Sequence, residues 1–247
     1  MKTKYLLISL VFVALAIYLN RAYARIYSTI DQAHLLAPDK LGTYVIGDNK
    51  SSTSLTYVAL GDSLTAGVGT TKYQESYPYL LTQKLAGNQT KLTLINLALP
   101  GFKTKDIINN SLKTTIADNP DIITLLIGVN DIHGNISKIA FQKNYQQILQ
   151  ELTTKTTAKI YVIGLPQIGS NQLLWFPYNY YFRWQIKNFN QVIKQLAIQY
   201  KLIYVNLDTP TAQVLKNNGP AYSIDSFHLS AFGYESWAQI IYANFNQ

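Results

Sequence analysis

The chain has 247 residues, 48% of them hydrophobic and 14% charged, which is enough to bury a full core as one domain with a short appendage. This composition excludes a disordered chain, and the absence of cysteine excludes disulfides, thiolate catalysis and cysteine-based zinc sites. The formal net charge is +8, but Lys and Arg are scattered with no block of like charge, which argues against nucleic acid as a partner.

Lys2 and Lys4 precede an uncharged apolar run over residues 5–19, followed by Asn20, Arg21 and the small-residue pattern Ala22-Tyr23-Ala24. Residues 1–24 therefore read as a signal peptide or an N-terminal membrane anchor. Either one places the remainder outside the cytoplasm, secreted or associated with a membrane through residues 5–19. The run is shorter than the ~20 residues of a spanning helix, and Ala-Tyr-Ala is a cleavage-site pattern. Against that, Tyr18 suits an interface and Arg21 and Arg25 suit an uncleaved anchor, where they snorkel to the headgroups. Both readings stay open.

Residues 25–54 are mixed in character and read as a linker, with "DNKSSTS" (48–54) its polar end. His34 lies here and is assigned no role. From residue 55 onward, strand-like runs "LTYVAL" (55–60), "KLTLINL" (91–97), "DIITLLIG" (121–128), "AKIYVIG" (158–164) and "KLIYVNL" (201–207) alternate with candidate helices. The helices are expected over about 78–86, 104–116, 137–153, 181–200 and 230–245. Such alternation implies parallel strands in one α/β domain, residues 55–247. The segment "LLWFPYNYYFRW" (173–184) crowds aromatics after the fourth strand. It fits an acyl- or sugar-binding cleft, a membrane interface, or plain packing of a helix start.

Four short motifs stand at informative places on this frame. Gly61-Asp62-Ser63-Leu64 follows the first strand, Pro100-Gly101 the second, and Gly128-Val129-Asn130-Asp131 the third, all at the carboxyl edge where an open α/β sheet gathers ligands. "DSFH" then puts Asp225 three residues before His228, ahead of the last helix. Each has a plain alternative: Asp62, Ser63, Asn130 and Asp131 are helix-capping residue types, and glycines make turns. An acid three residues before a histidine in a turn, however, reaches the imidazole and fixes its tautomer. Of the three histidines His34 also has an acid at this spacing, Asp31, but it stands in the expected linker, away from the strand ends that carry the motifs; His133, in "GVNDIH", is a second candidate base or else a rim or helix-start residue. Nucleotide motifs fail: Gly67 is followed by Val68 rather than the Lys of a P-loop, and Lys72 stands where a dinucleotide fingerprint needs its third glycine.

Taken in this order, the four motifs resemble the SGNH hydrolases, also called GDSL esterases and lipases, over about residues 55–245. The resemblance implies a flavodoxin-like three-layer α/β/α sandwich with a central five-stranded parallel sheet. It implies Ser63 as nucleophile, Asp225 and His228 as its triad partners, and an oxyanion hole from the backbone N–H groups of Ser63 and Gly101 and the Asn130 amide. Two departures are visible: "ALPGFKT" surrounds Gly101 where a Ser-Gly pair is often seen, and Leu229 follows His228 where many members have Pro. Serine needs a neighbouring base to attack, and the developing oxyanion needs fixed donors; this scheme requires no cofactor and no metal. The implied function is an exported serine hydrolase of carboxylic esters acting through an acyl-enzyme. Its substrate would be a small-molecule or lipid ester, in the manner of an esterase, lipase or lysophospholipase. A carbohydrate O-deacetylase acting on an acetylated glycan is the alternative on the same scaffold, and a catalytically inactive surface-binding module is the alternative of another class.

Overall fold

Each of the five expected strands is a run of β-branched and aliphatic residues closed by a turn former, and all five pair in one sheet. The computed structural model describes residues 2–33, 35, 42–47, 53–86, 90–167, 169–217 and 221–245. His34 and most of the expected polar linker, residues 48–52, lie outside the described residues. In chain order the elements are α1 (Lys2–Gln32), β1 (Thr43–Ile46), β2 (Thr53–Gly61), α2 (Ser63–Ala66), a 3₁₀ turn (Tyr73–Glu75) and α3 (Tyr77–Leu85). There follow β3 (Thr90–Asn96), α4 (Thr104–Asp106), a π-helical turn (Ile107–Ser111), α5 (Leu112–Ala117), β4 (Ile122–Leu126) and α6 (Val129–His133). The chain closes with α7 (Lys138–Lys155), β5 (Lys159–Ile163), α8 (Tyr178–Gln199), β6 (Ile203–Val205), α9 (Asp208–Asn217) and α10 (Ala231–Tyr242).

The strand order is β1-β3-β2-β4-β5-β6. Strands β3, β2, β4, β5 and β6 run parallel, while β1 lies antiparallel along the outer edge of β3. Among the described residues the sheet thus has six strands where five were expected. The added strand is only four residues long, and its alternating half-exposed pattern is too short to read as a period. What holds it is tertiary: Tyr44 stacks on Tyr73 at 4.1 Å between ring centroids and meets Tyr79 edge-on at 6.0 Å. All five residues of β4 are buried, and since successive side chains point to opposite faces, both faces of the sheet are covered. The helices form two packed groups, α3 with α10 and α9, and α5, α7 and α8 together.

Helix α1 runs without a break through the stretch expected as leader and into the stretch expected as linker. Thr3–Gln32 is long and apolar enough to cross a membrane. Its first half is exposed, from Tyr5 to Tyr18, but Ala22 and Ile26 are wholly buried and Ile26 belongs to the main core.

Chain reversal of strand order occurs at β2, whose parallel neighbours β3 and β4 are reached on opposite sides. The carboxyl ends of these three strands lead directly to Gly61, to the Pro100-Gly101 turn and to Gly128, so the topology gathers three of the four motifs at one crevice.

Candidate active site

β2 ends on Gly61, and α2 begins two residues later at Ser63. A Cβ on Gly61 would lie 2.0 Å from Thr65 Oγ1 and 2.6 Å from the Leu126 carbonyl, so the strand can turn this sharply into the helix only without a side chain. Asp62 caps α2, its Oδ1 accepting from Leu64 N at 3.0 Å. Capping and presentation of Ser63 are therefore compatible: Asp62 does the first and leaves the Ser63 hydroxyl free to reach His228.

His228 sits in a tight loop closed by the bridge between Tyr222 and Leu229, with Ser223 N donating to His228 O at 2.8 Å. Within it, Asp225 Oδ1 accepts from Phe227 N (3.0 Å) and His228 N (2.9 Å), while Oδ2 lies 2.5 Å from His228 Nδ1. The three-residue spacing is explained by this arrangement, because a carboxylate at the head of the turn binds the two N–H groups that follow and keeps one oxygen for the ring. His228 Nε2 is 2.9 Å from Ser63 Oγ. The two loops meet because Gly69, with φ +101°, lets backbone approach backbone: a Cβ there would come within 2.3 Å of the Leu229 carbonyl. Tyr234 of α10 adds a hydrogen bond from its hydroxyl to Val68 O at 2.7 Å.

Asn130 lies in the first turn of α6 but does not cap it; the cap is Gly128, without a side-chain bond. Its Nδ2 donates instead to Phe102 O at 3.1 Å and, at 3.4 Å, to Asp62 Oδ2. The amide is thereby held between the residue before Ser63 and the residue after Gly101. Gly101 is exposed, in a turn closed by Phe102 N donating to Leu99 O at 3.2 Å. Asp131, the last residue of that motif, fixes the neighbouring segment: its carboxylate accepts from Thr104 N (2.9 Å) and Thr104 Oγ1 (2.6 Å), tying the start of α4 to α6. Sequence reasoning gave Asp131 only a capping role and Thr104 only the start of an expected helix, since only the fold brings two loops 27 positions apart into contact.

The buried carboxyls differ in charge state for identifiable reasons. Burial alone would raise Asp225, but the His228 ring and the two backbone N–H groups outweigh it and hold Asp225 below the usual carboxylate range. Asp62, also buried but without a cationic partner, is pushed up to about 7 by desolvation. Burial likewise raises Asp131, against the opposing pull of its Thr104 hydrogen bonds.

His133, the second candidate base, does not face Ser63. Its ring packs 4.9 Å from Phe182, 5.6 Å from Phe227 and 6.1 Å from Tyr27 of α1, and burial lowers its pKa to about 4. Among the described residues no group of three or more His, Asp or Glu is arranged to hold a metal ion.

A family model described as GDSL-like lipase/acylhydrolase matches residues 59–235. Among solved structures, the acetylxylan esterase Axe2 from Geobacillus stearothermophilus is similar at a TM-score of 0.63 and 19% identity, covering 80% of this chain and 95% of that one. The lipase/acylhydrolase from Enterococcus faecalis is similar at 0.64 and 22%, covering 76% and 94%. LAE5, an α/β hydrolase enzyme from the metagenome of Lake Arreo, Spain, is similar at 0.64 and 15%, covering 78% and 95%. At these identities the likeness establishes the fold. No curated protein matches the chain by sequence at a significant level.

Proposed function

The chain belongs to the GDSL-like lipase/acylhydrolase family, and from that membership and the geometry at Ser63 we propose that it hydrolyses carboxylic esters through an acyl-enzyme formed on Ser63. The observation that carries the proposal is the unbroken line Ser63 Oγ, His228 Nε2, His228 Nδ1, Asp225 Oδ2, with contacts of 2.9 and 2.5 Å. Ser63 Oγ attacks the ester carbonyl while its proton passes to Nε2, and the imidazolium so formed is stabilised by the Asp225 anion. Negative charge gathers on the former carbonyl oxygen, which is met by the backbone N–H groups of Ser63 and Gly101 and by the Asn130 Nδ2 hydrogen that leaves its long 3.4 Å contact with Asp62 Oδ2, the bond to Phe102 O being kept. Nε2 then gives its proton to the departing alkoxide. Water, deprotonated by the same nitrogen, releases the acid and restores Ser63.

The enzyme acts outside the cytoplasm, held there by α1 as a retained anchor. Supporting retention, Ala22-Tyr23-Ala24 lies inside a continuous helix, and Ala22 and Ile26 are wholly buried against the domain. The substrate is a lipid-type ester, a reading favoured by the exposed aromatics Trp175, Phe176 and Tyr180 close to the anchor.

The test is covalent labelling by a fluorophosphonate, which requires an activated serine. The wild-type chain labels and hydrolyses p-nitrophenyl esters, and Ser63→Ala does neither while keeping its thermal midpoint. A labelled, active Ser63→Ala protein refutes the nucleophile assignment. Lysophospholipids and acetylated glycans assayed side by side then separate the lipid reading from deacetylation of carbohydrate.

A further inference from the structure

The outer surface of α1 is apolar and exposed from Tyr5 to Tyr18, and the helix changes character just beyond, where Ala22 and Ile26 are buried. At that change of character the helix is tied to the loop ahead of α8. Tyr18 donates its hydroxyl to Phe176 O at 2.9 Å, and Tyr178 donates its own to Leu19 O at 3.1 Å. The Arg25 guanidinium lies 4.7 Å over the Trp175 ring, and the Tyr23 and Tyr178 rings are 5.4 Å apart. The level at which the apolar surface of α1 ends is therefore also the level of residues 175–178. This loop and the start of α8 expose Trp175 at 42%, Phe176 at 65%, Tyr180 at 64% and Trp184 at 60%. Clustered aromatics of this exposure are poorly served by water and well served by the headgroup layer, where a ring buries its apolar body and keeps its polar edge wet.

We propose that this aromatic segment is a second membrane contact, seated in the interfacial layer of the same bilayer that α1 crosses, so that the catalytic domain lies against the lipid surface. The proposal rests on the reading of α1 as a retained anchor and goes beyond it, since an anchor alone leaves the domain free to stand clear of the membrane. The length of the apolar run argues for contact. Fifteen residues at about 1.5 Å each span roughly 22 Å, short of the ~30 Å hydrocarbon layer, so the junction at Tyr18 and Leu19 is drawn down into the interface. Whatever is bonded to that junction goes with it. Arg21 and Arg25, just beyond the apolar run on α1, supply cations for phosphate headgroups at this junction. The reactive centre is close by: Tyr27 of α1 touches His133, His133 touches Phe227, and Phe227 packs edge-on to His228 with ring centroids 4.9 Å apart.

The three tryptophans make this measurable, because Trp237 is buried in the core and Trp184 and Trp175 can be removed singly. The full chain is reconstituted into phosphatidylcholine–phosphatidylglycerol vesicles whose acyl chains are brominated either near the glycerol carbonyls or near the bilayer centre. In Trp184→Phe, most of the Trp175 emission is expected to be lost in bromolipid, with the shallow bromines the stronger quenchers. A second protein, Trp175→Phe/Trp184→Phe/Phe12→Trp, reports on the anchor itself and is expected to be quenched more by the deep bromines. If Phe12→Trp is quenched and Trp175 is not, or Trp175 is quenched equally at both depths, the interfacial contact is overturned and the anchor stands. If neither is quenched, the anchor reading falls and the contact falls with it.

Discussion

Replacing Asp225 by Asn preserves its size and reverses the polarity of one atom. In the wild-type loop, Oδ1 accepts from Phe227 N at 3.0 Å and His228 N at 2.9 Å, and Oδ2 lies 2.5 Å from His228 Nδ1. In the variant the two backbone donors hold the amide oxygen at the Oδ1 position, because the flipped amide would set an NH₂ against two N–H groups. The NH₂ then faces Nδ1 and demands an acceptor there, which moves the ring proton to Nε2. An Nε2 that already carries a proton donates to Ser63 Oγ and cannot take the serine's proton. The expected loss is roughly 10⁴-fold in kcat, the size seen when a triad base is held in the wrong tautomer, or about 5.5 kcal/mol of barrier. Stability changes far less, by about 1–2 kcal/mol, since both backbone bonds survive. Steady-state hydrolysis of a p-nitrophenyl ester, fluorophosphonate labelling rate and thermal midpoint on one preparation test this. A kcat within about tenfold of wild type, with the midpoint unchanged, would refute the claim that Asp225 sets the tautomer.

Asn130→Ala is expected to lower kcat by roughly 10²–10³ with little change in KM, because in the proposed mechanism the amide serves the oxyanion of the transition state, and the cap of α6 is Gly128 instead; kcat and KM measured together decide it. Asp62 titrates near 7 in the fold because burial favours its neutral form, so the folded state holds a proton that the unfolded chain gives up near the ordinary 3.8. Wild-type stability therefore falls as pH rises from about 4 to about 7, and Asp62→Asn, which never ionises, escapes that slope. Thermal melts of the two proteins at both ends of the window should converge at low pH relative to neutral pH, apart from a constant offset; parallel pH dependences would exclude the raised Asp62. A chain beginning at Gly42 retains β1, whereas one beginning at Leu55 loses it and leaves β3 as an open edge. The shorter protein should melt lower and associate more, by thermal scan and size-exclusion chromatography.

Local chemistry makes much of this protein legible in its sequence alone. Strands are announced by runs such as "LTYVAL" and "IITLL", continuous apolar and β-branched stretches bounded by polar or turn-forming residues. Asp225 and His228 are legible for a similar reason, since the carboxylate binds N–H groups two and three residues further on. The apolar run at 5–19 is likewise a property of composition alone. Other features lay beyond reach. The edge strand Thr43–Ile46 is too short to show a period and exists because β3 and Tyr73 receive it. The helix expected over 104–116 is interrupted by the π-helical turn at Ile107–Ser111, which no residue in that stretch announces.

The division is clearest at the site. Ser63 and His228 are 165 positions apart and meet through a single hydrogen bond. Asn130 could cap a helix or serve the crevice, and its partners Phe102 and Asp62 were decided by which strand ends lie side by side. His133 and His228 are equally histidine in the sequence, yet one is packed among Tyr27, Phe182 and Phe227 while the other reaches Ser63. The sequence by itself determined which residues can do chemistry and which short turns orient them, because those preferences arise from bonds spanning a few residues. The tertiary structure decided which of them do it together, because contact between remote residues depends on strand order and on which surfaces are buried, and neither is a property of any local stretch.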